Sequence, residues 1–350
     1  MIWGDIMTKV IKIRDISIGG GNPVAIQSML NVPTDDITAV KTQIDRLYLA
    51  GCQIVRLAVP DMPSAEALSE IVKYSPIPVV ADIHFDYRLA LRAMENGVDK
   101  VRINPGNLGG EENAAAVAHL AKERNIPIRI GVNGGSLQKG LLEKCGDLAS
   151  AMVESAKEHI EILNRYDFDN IVLSMKASDV KTTISAYRMA SSAFNYPLHL
   201  GVTEAGTTKE GIVKSAIGIG SLLADGIGDT IRVSLTDDPV KEIEAAKLIL
   251  KSLDLGGDCV SVVSCPTCGR TKIDLIPIAN AISDAVSSIN KKLKVAVMGC
   301  VVNGPGEAKD ADIGIAGGDG CAVLFKKGEI IGKIPEDKII ETLLCEIDKM

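Results

Sequence analysis

Cys265-Pro266-Thr267-Cys268 is the pair of residues best spaced for chemistry in this sequence. Two thiols at this spacing can hold part of a zinc site, form a redox pair or ligate an iron–sulfur cluster. A third thiol opens Cys300-Val301-Val302-Asn303-Gly304-Pro305-Gly306-Glu307, directly after an apolar run, 294–299, that reads as a strand. Glycine and proline keep the loop that follows close to whatever Cys300 binds. The fourth ligand position stays open: Cys259, Cys321, Cys345 and a carboxylate all compete for it. No histidine follows His199, which weighs against a Cys₃His zinc site but leaves four-cysteine zinc standing. No thioredoxin-like helix start surrounds the pair, so the spacing favours iron–sulfur over zinc, and zinc over thiol redox.

A second constellation is cationic. Val55-Arg56-Leu57, Val101-Arg102-Ile103, Ile128-Arg129-Ile130 and Ile231-Arg232-Val233 each set an arginine between two apolar residues. Neighbours in a strand point to opposite faces, so apolar flanks on the outer face turn the arginine inward. Lys176 adds a fifth cation. Buried guanidinium groups need anionic partners. Asp82 and Glu204 provide two carboxylates against five cations, so a multiply charged anionic ligand accounts for the set better than an internal ion-pair network. Arginine forks suit phosphate oxygens. Two glycine-rich turns, 104–110 and 133–136, precede helices and let backbone N–H groups approach phosphate. Asn104, Asn133, Ser174 and Ser234 fall at strand ends with them. Glu204, in Thr203-Glu204-Ala205-Gly206, can act as general acid or base. His84, two residues past Asp82, outweighs His199, which reads as a structural hydrogen-bonder. His119 and His159 sit in helices and read as surface residues, and Gly218-x-Gly220 reads as close helix packing.

The elements that must position these residues follow a regular beat. Apolar, β-branched runs fall at 24–27, 54–59, 78–83, 100–104, 127–132, 170–175, 197–202 and 230–235, each followed by a helix-length segment. One helix spans 147–165, with Asp147 as N-cap and Leu148, Met152, Ala156, Ile160 and Leu163 on one face. Another opens at Asp238-Pro239. Eight strand–helix units predict a (β/α)₈ TIM barrel rather than an open doubly wound sheet, because no dinucleotide fingerprint follows the first strand. The alternating segment 9–21 predicts a hairpin that caps the barrel bottom. The barrel fills 1–253. A smaller α+β iron–sulfur domain fills 259–350, where six of the eight cysteines lie.

Composition sets bounds. The net charge of −7 and aromatic content of 3% argue against nucleic-acid binding. No apolar stretch is long enough for a membrane span, and the N-terminus lacks a signal-peptide core. A cytoplasmic location, where cysteines serve metals or catalysis, is expected.

The cysteine strings, together with Ala81-Asp82-Ile83-His84-Phe85, residues 101–107, 131–137 and 199–206, and Gly226-Ile227-Gly228-Asp229-Thr230-Ile231-Arg232-Val233-Ser234, resemble one family in order along nearly the whole chain. It is the 4-hydroxy-3-methylbut-2-en-1-yl diphosphate synthases, iron–sulfur enzymes of the non-mevalonate isoprenoid pathway, in their two-domain bacterial form. The resemblance implies a [4Fe–4S] cluster on Cys265, Cys268, Cys300 and Glu307, leaving Cys259, Cys321 and Cys345 as ordinary thiols. It implies reductive ring opening and dehydration of 2-C-methyl-D-erythritol 2,4-cyclodiphosphate. Arg56, Arg102, Arg129, Lys176 and Ser234 would hold the diphosphate, assisted by Asn104 and Asn133, and Arg232 joins them as a substrate-binding residue without an assigned role. Glu204 would be the acid/base residue, and Asp82 and His84 fall in a family motif. Reduced flavodoxin or ferredoxin would supply electrons. A head-to-tail homodimer would close each barrel with the partner's cluster domain. One departure stands out: Leu30 and Val32 replace two threonines usual in the family, so hydrogen bonding at the mouth is expected to differ. Two alternatives from other classes are a zinc-stabilised barrel enzyme for another phosphorylated substrate and a non-enzymatic iron–sulfur carrier.

Overall fold

The computed structural model describes residues 7–287, 289, 291–301 and 310–350. The chain divides into two compact units, Met1–Leu255 and Gly256–Met350.

In the first unit a hairpin, β1 (Ile11–Ile13) and β2 (Ile16–Ile18), precedes eight parallel strands. These are β3 (Ala25–Met29), β4 (Ile54–Ala58), β5 (Val79–Asp82), β6 (Lys100–Ile103), β7 (Ile128–Asn133), β8 (Ile171–Lys176), β9 (His199–Leu200) and β10 (Thr230–Ile231). They pair in the order β8-β7-β6-β5-β4-β3-β10-β9. A parallel bridge, Leu173 to Leu198, and the Leu173 N–H to Pro197 carbonyl bond at 2.9 Å join β8 to β9 and close the ring. The barrel and its parallel topology are as the eight-unit count predicts. The ladders at β9 and β10 are shorter than expected, because Leu235 N–H goes to the Glu242 side chain at 3.1 Å and the His199 carbonyl accepts from the Tyr187 hydroxyl.

Helices form where caps and stripes prescribe them. Asp147 accepts from Ser150 N–H at 3.0 Å and starts helix Leu148–Asn164. Asp238 accepts from Val240 N–H at 3.0 Å, with Pro239 in the first turn of helix Pro239–Ser252. Their apolar faces pack on the outward residues of the strands. The hairpin seals the bottom: Ile11, Ile13 and Ile18 cluster with the inward Ala25, Ile54, Val80 and Val172.

The second unit is α+β. Its sheet runs β11 (Val260–Ser264), β12 (Leu293–Met298), β13 (Ile313–Gly318), β14 (Cys321–Lys326) and β15 (Glu329–Pro335). The first three are parallel and the last three antiparallel. Val295, Val297, Ile313 and Ile315 face helices Leu275–Val286 and Ile339–Asp348, while Ala296, Met298 and Ala316 pack with Phe325 on the other side. Among the described residues, no helix is long and apolar enough to cross a membrane.

Candidate functional site

The strand period puts the charged residues of the barrel on its axis. Arg102 and Arg129 stand in register on adjacent strands, with Arg56 opposite Met29 and Val80. Side chains from all eight strands or the loops just after them line one cavity of about 240 Å³ at the C-terminal mouth. Nine residues expected from the sequence are there: Arg56, Asp82, His84, Arg102, Arg129, Asn133, Lys176, Arg232 and Ser234. Ser174 and Thr203, both read at strand ends, join them, as do Met29 and Gly131, to which the sequence reading gave no role.

The cavity's charge is lopsided. Among the described residues that line it, Asp82 is the one carboxylate: Oδ1 accepts from Arg102 Nη1 at 3.2 Å, and Oδ2 lies 3.5 Å from Arg56 Nε. Burial pushes the Asp82 carboxyl up, but Arg56 and Arg102 outweigh it and hold the pKa below the usual value. Arg56 otherwise donates to a weak acceptor, the Met29 sulfur, at 2.7 and 3.1 Å. Burial, partly offset by Asp82, brings the Arg56 guanidinium down to about 10. Arg129 is 1% exposed; its Nε has no partner, and Nη1 only reaches Gln27 Oε1 at 3.4 Å. Burial, then the neighbouring cations, drive Arg129 and Lys176 well below their ordinary values. A ring of donors held this way is short of acceptors, and an anion would supply them.

Two inward glycines make the cations fit. A Cβ on Gly131 would lie 2.4 Å from Arg102 Nε, and one on Gly201 would lie 2.6 Å from Lys176 Nζ. Those two side chains lie across bare backbone.

Two further charges escaped the sequence reading. Lys100 begins β6, is fully buried, and its Nζ has no partner; burial, then Arg129 and Arg56, lower its pKa far below the usual value. It lies two residues before Arg102, so the same alternation that finds Arg102 finds Lys100. Glu242 is buried on helix Pro239–Ser252, where an acidic residue interrupts the apolar stripe of Ile243, Ala246 and Ile249.

Other expected residues stand apart from the lining. Glu204 is exposed, next to Thr203, with φ of 52°, a backbone region that side chains seldom occupy. Asn104 precedes the short turn Pro105–Asn107, and its buried Oδ1 has no partner. His84 Nδ1 is 3.2 Å from Arg102 Nη1, and its ring is largely exposed. His199 is fully buried with Nδ1 at 2.7 Å from Thr230 Oγ1, a structural role. His159 corrects the surface reading: it is 2% exposed, and a Cβ on Gly106 would meet its Nε2 at 2.7 Å. Gly106 is therefore required by packing against that imidazole. Burial lowers His159 to about 4. His119 is exposed, as expected. Gly218 packs closely, its hypothetical Cβ 2.6 Å from Val202, while Gly220 faces open space. Leu30 and Val32 belong to the apolar layer between strands and helices, so that departure does not touch the mouth.

In the second unit Cys265, Cys268 and Cys300 lie in the loops that follow two adjacent parallel strands. Cys265 follows β11, and Gly299-Cys300 follows β12. Cys265 Sγ accepts from Gly299 N–H at 3.1 Å. Lys272 N–H donates to the Gly299 carbonyl at 2.9 Å, tying the Cys265–Cys268 loop to the Cys300 loop. A Cβ on Gly317 would sit 2.6 Å from that carbonyl, so glycine is needed for the approach. The Arg270 backbone and side-chain donors hold the exposed Cys268 thiol below its ordinary pKa. Cys321 starts β14 at the same end; all eight cysteines are free. Among the described residues, no three Cys, His, Asp or Glu side chains are gathered into a metal-holding group. Glu307 lies outside the described residues. The donor set nonetheless fits an iron–sulfur cluster: three thiols on two tied loops, one already receiving a backbone N–H of the kind that tunes such sulfurs.

Comparison with known proteins places this geometry. Residues 8–247 match the GcpE TIM-barrel domain and residues 261–349 the GcpE protein C-terminal domain. A relative from Ruminiclostridium cellulolyticum is 59% identical over 344 residues, covering 98% of each chain. One from Fusobacterium nucleatum is 57% identical over 337 residues, covering 96% of this chain and 95% of the relative. Both are named 4-hydroxy-3-methylbut-2-en-1-yl diphosphate synthase (flavodoxin). Among solved structures, the Bacillus subtilis spore coat polysaccharide biosynthesis protein spsE superposes with TM-score 0.52 at 14% identity, over 71% of this chain and 74% of that one. The 7,8-dihydropteroate synthase of Vibrio fischeri gives 0.50 at 13%, over 70% and 98%. At such identities these two speak for the barrel fold alone. Matched in both units and along nearly its full length, the chain belongs to the GcpE family, whose members include these diphosphate synthases.

Proposed function

We propose that this chain is a flavodoxin-dependent enzyme that converts 2-C-methyl-D-erythritol 2,4-cyclodiphosphate to 4-hydroxy-3-methylbut-2-en-1-yl diphosphate. The observation that carries the reading is the barrel mouth, where, among the described residues, five cations share one cavity with a single carboxylate. Such a mouth suits a compact ligand with several negative charges and does not suit a pure electron carrier.

Arg56, Arg102, Arg129, Lys176 and Arg232 hold the diphosphate, with Ser234 and Asn133 donating at the rim. Asp82 keeps Arg56 and Arg102 aimed inward. His84 caps that group from the solvent side, and Asn104 steadies the turn after β6. The reaction takes up two electrons and two protons, opens the ring at a carbon–oxygen bond to phosphate and releases one hydroxyl as water. Glu204 delivers a proton to the departing hydroxyl from the loop after β9. Cys265, Cys268, Cys300 and Glu307 would hold a [4Fe–4S] cluster, which supplies electrons one at a time when bound. Reduced flavodoxin is the donor favoured by the relatives' names; ferredoxin would serve the same role. On this reading residues 1–253 are the substrate-binding domain and 259–350 the cluster domain of a cytoplasmic, head-to-tail homodimer.

Anaerobic purification should yield a brown protein with about four irons per chain. Zinc without iron would sink the cluster assignment. Glu204→Gln should abolish turnover with the iron content unchanged. Near-normal turnover in that variant would remove Glu204 from the proton path.

A further inference from the structure

We infer that Glu242 is a positioning residue of the diphosphate pocket, holding Arg232 and the segment that carries Ser234 against the first barrel strand. The inference rests on the proposed function. It assigns a role to a carboxylate that lies outside the cavity.

The geometry is specific. Glu242 projects from the first turn of helix Pro239–Ser252 and is 4% exposed. Oε2 accepts from Ser28 Oγ on β3 at 2.9 Å. Oε1 accepts from Leu235 N–H at 3.1 Å and lies 3.4 Å from Arg232 Nη2. The carboxylate thus ties β3 to the chain just beyond β10. The β3–β10 pairing itself stops at Ile26 opposite Ile231, short of Ser28 and Leu235. Past this point Arg232 and Ser234 turn toward the cavity, and Glu242 takes over where the ladder ends. Ser28 adjoins Met29, whose sulfur accepts from Arg56, so the same tie reaches a second cation of the mouth. The helix is itself anchored from outside, with Arg46 Nη2 at 2.6 Å from Asp238 Oδ2.

Chemistry separates positioning from plain scaffolding. A neutral isostere keeps the volume and can keep its one oxygen toward Leu235 N–H, with its NH₂ group donating to Ser28 Oγ on the other side. It loses the charge that pairs with Arg232 and leaves the guanidinium only a neutral acceptor at the shared oxygen. Arg232 would then sample other rotamers and meet the diphosphate less often in the productive one.

The test uses full-length, cluster-loaded protein and two probes: calorimetric binding of inorganic diphosphate, and steady-state turnover of the cyclic diphosphate. Glu242→Gln is expected to weaken inorganic diphosphate binding roughly tenfold and raise KM similarly, with kcat within about twofold of wild type. Adding the change to Arg232→Gln, as the double variant Arg232→Gln/Glu242→Gln, is expected to cost nothing more than Arg232→Gln alone. That comparison stands even if Glu242→Gln by itself fails to fold, because the double variant carries no unpaired charge at the site. Wild-type affinity in Glu242→Gln, or losses that multiply in the double variant, would overturn the positioning role while leaving the pocket intact. A wild-type chain that binds no inorganic diphosphate would overturn the pocket, and the inference with it.

Discussion

Replacing Arg129 by methionine should stabilise the ligand-free protein and cripple the pocket together. Arg129 is 1% exposed, its Nε lacks a partner, and its best acceptor is a neutral amide oxygen 3.4 Å away. Arg102 stands directly beside it in the sheet register. Two like charges at about 4 Å and an effective permittivity of about 20 repel by about 4 kcal/mol, and by less at longer range. Methionine fills similar volume without charge, and exchanging buried ions for apolar side chains is neutral or stabilising by about 1–4 kcal/mol. For a barrel of this size each kcal/mol moves Tm by about 2–4 °C, so a stabilisation of about 1–4 kcal/mol raises it by about 2–16 °C. Losing a charged donor to the diphosphate costs about 1.5–3 kcal/mol, or roughly 10- to 150-fold in affinity. Thermal unfolding with and without inorganic diphosphate, plus calorimetric titration, reads both effects on one sample. The ligand should raise the wild-type Tm more than the variant's, and the two melting curves should draw together at saturation. A variant that melts lower without ligand and binds diphosphate like wild type would refute the claim that these cations are held at a cost for an anion.

Two further outcomes follow from packing and titration. Gly201→Ala places a Cβ 2.6 Å from Lys176 Nζ and 2.8 Å from the Arg232 carbonyl. It should cost about 1–3 kcal/mol of stability and weaken diphosphate binding, and a variant matching wild type in both would show that Lys176 does not lie across that glycine. His159 titrates at about 4 when folded and at 6.5 when unfolded. The unfolded chain therefore binds the proton more readily, so stability rises with pH: the contribution is full above 6.5 and is lost as pH falls toward 4, about 3 kcal/mol at most. Urea midpoints at pH 4.5 and 7 should differ less in His159→Leu than in wild type; equal differences would clear this histidine.

The barrel was legible because its signals are periodic. Alternation fixed the inward face of each strand, and an arginine between apolar neighbours marked that face in three of them and just past the end of β10. Asp147 and Asp238 announced their helices by capping chemistry. What the sequence hid depends on contacts across the fold. Glu242 looks like a helix residue among many, and only the apolar positions around it hint that it is buried. Lys100 obeys the same alternation as Arg102, but it opens its strand, where a lysine ordinarily reaches solvent. His159 sits one residue before Ile160 at the margin of a stripe, and the turn at Gly106 closes over it. Glu204 was found by type and neighbours; its positive φ belongs to the backbone and leaves no mark on composition. The cysteine spacing located two strand ends, while the tie between them, Gly299 N–H to Cys265 Sγ, emerges only once β11 and β12 are paired.

The central claim is that a cation-lined barrel mouth and a cysteine-held cluster act on one cyclic diphosphate. Anaerobic incubation of the iron-loaded protein with 2-C-methyl-D-erythritol 2,4-cyclodiphosphate and a chemical one-electron reductant tests it most directly. Product analysis should find 4-hydroxy-3-methylbut-2-en-1-yl diphosphate, with two electrons consumed for each molecule formed. Unchanged cyclic diphosphate after many equivalents of reductant, from protein carrying its full complement of iron, would contradict the account.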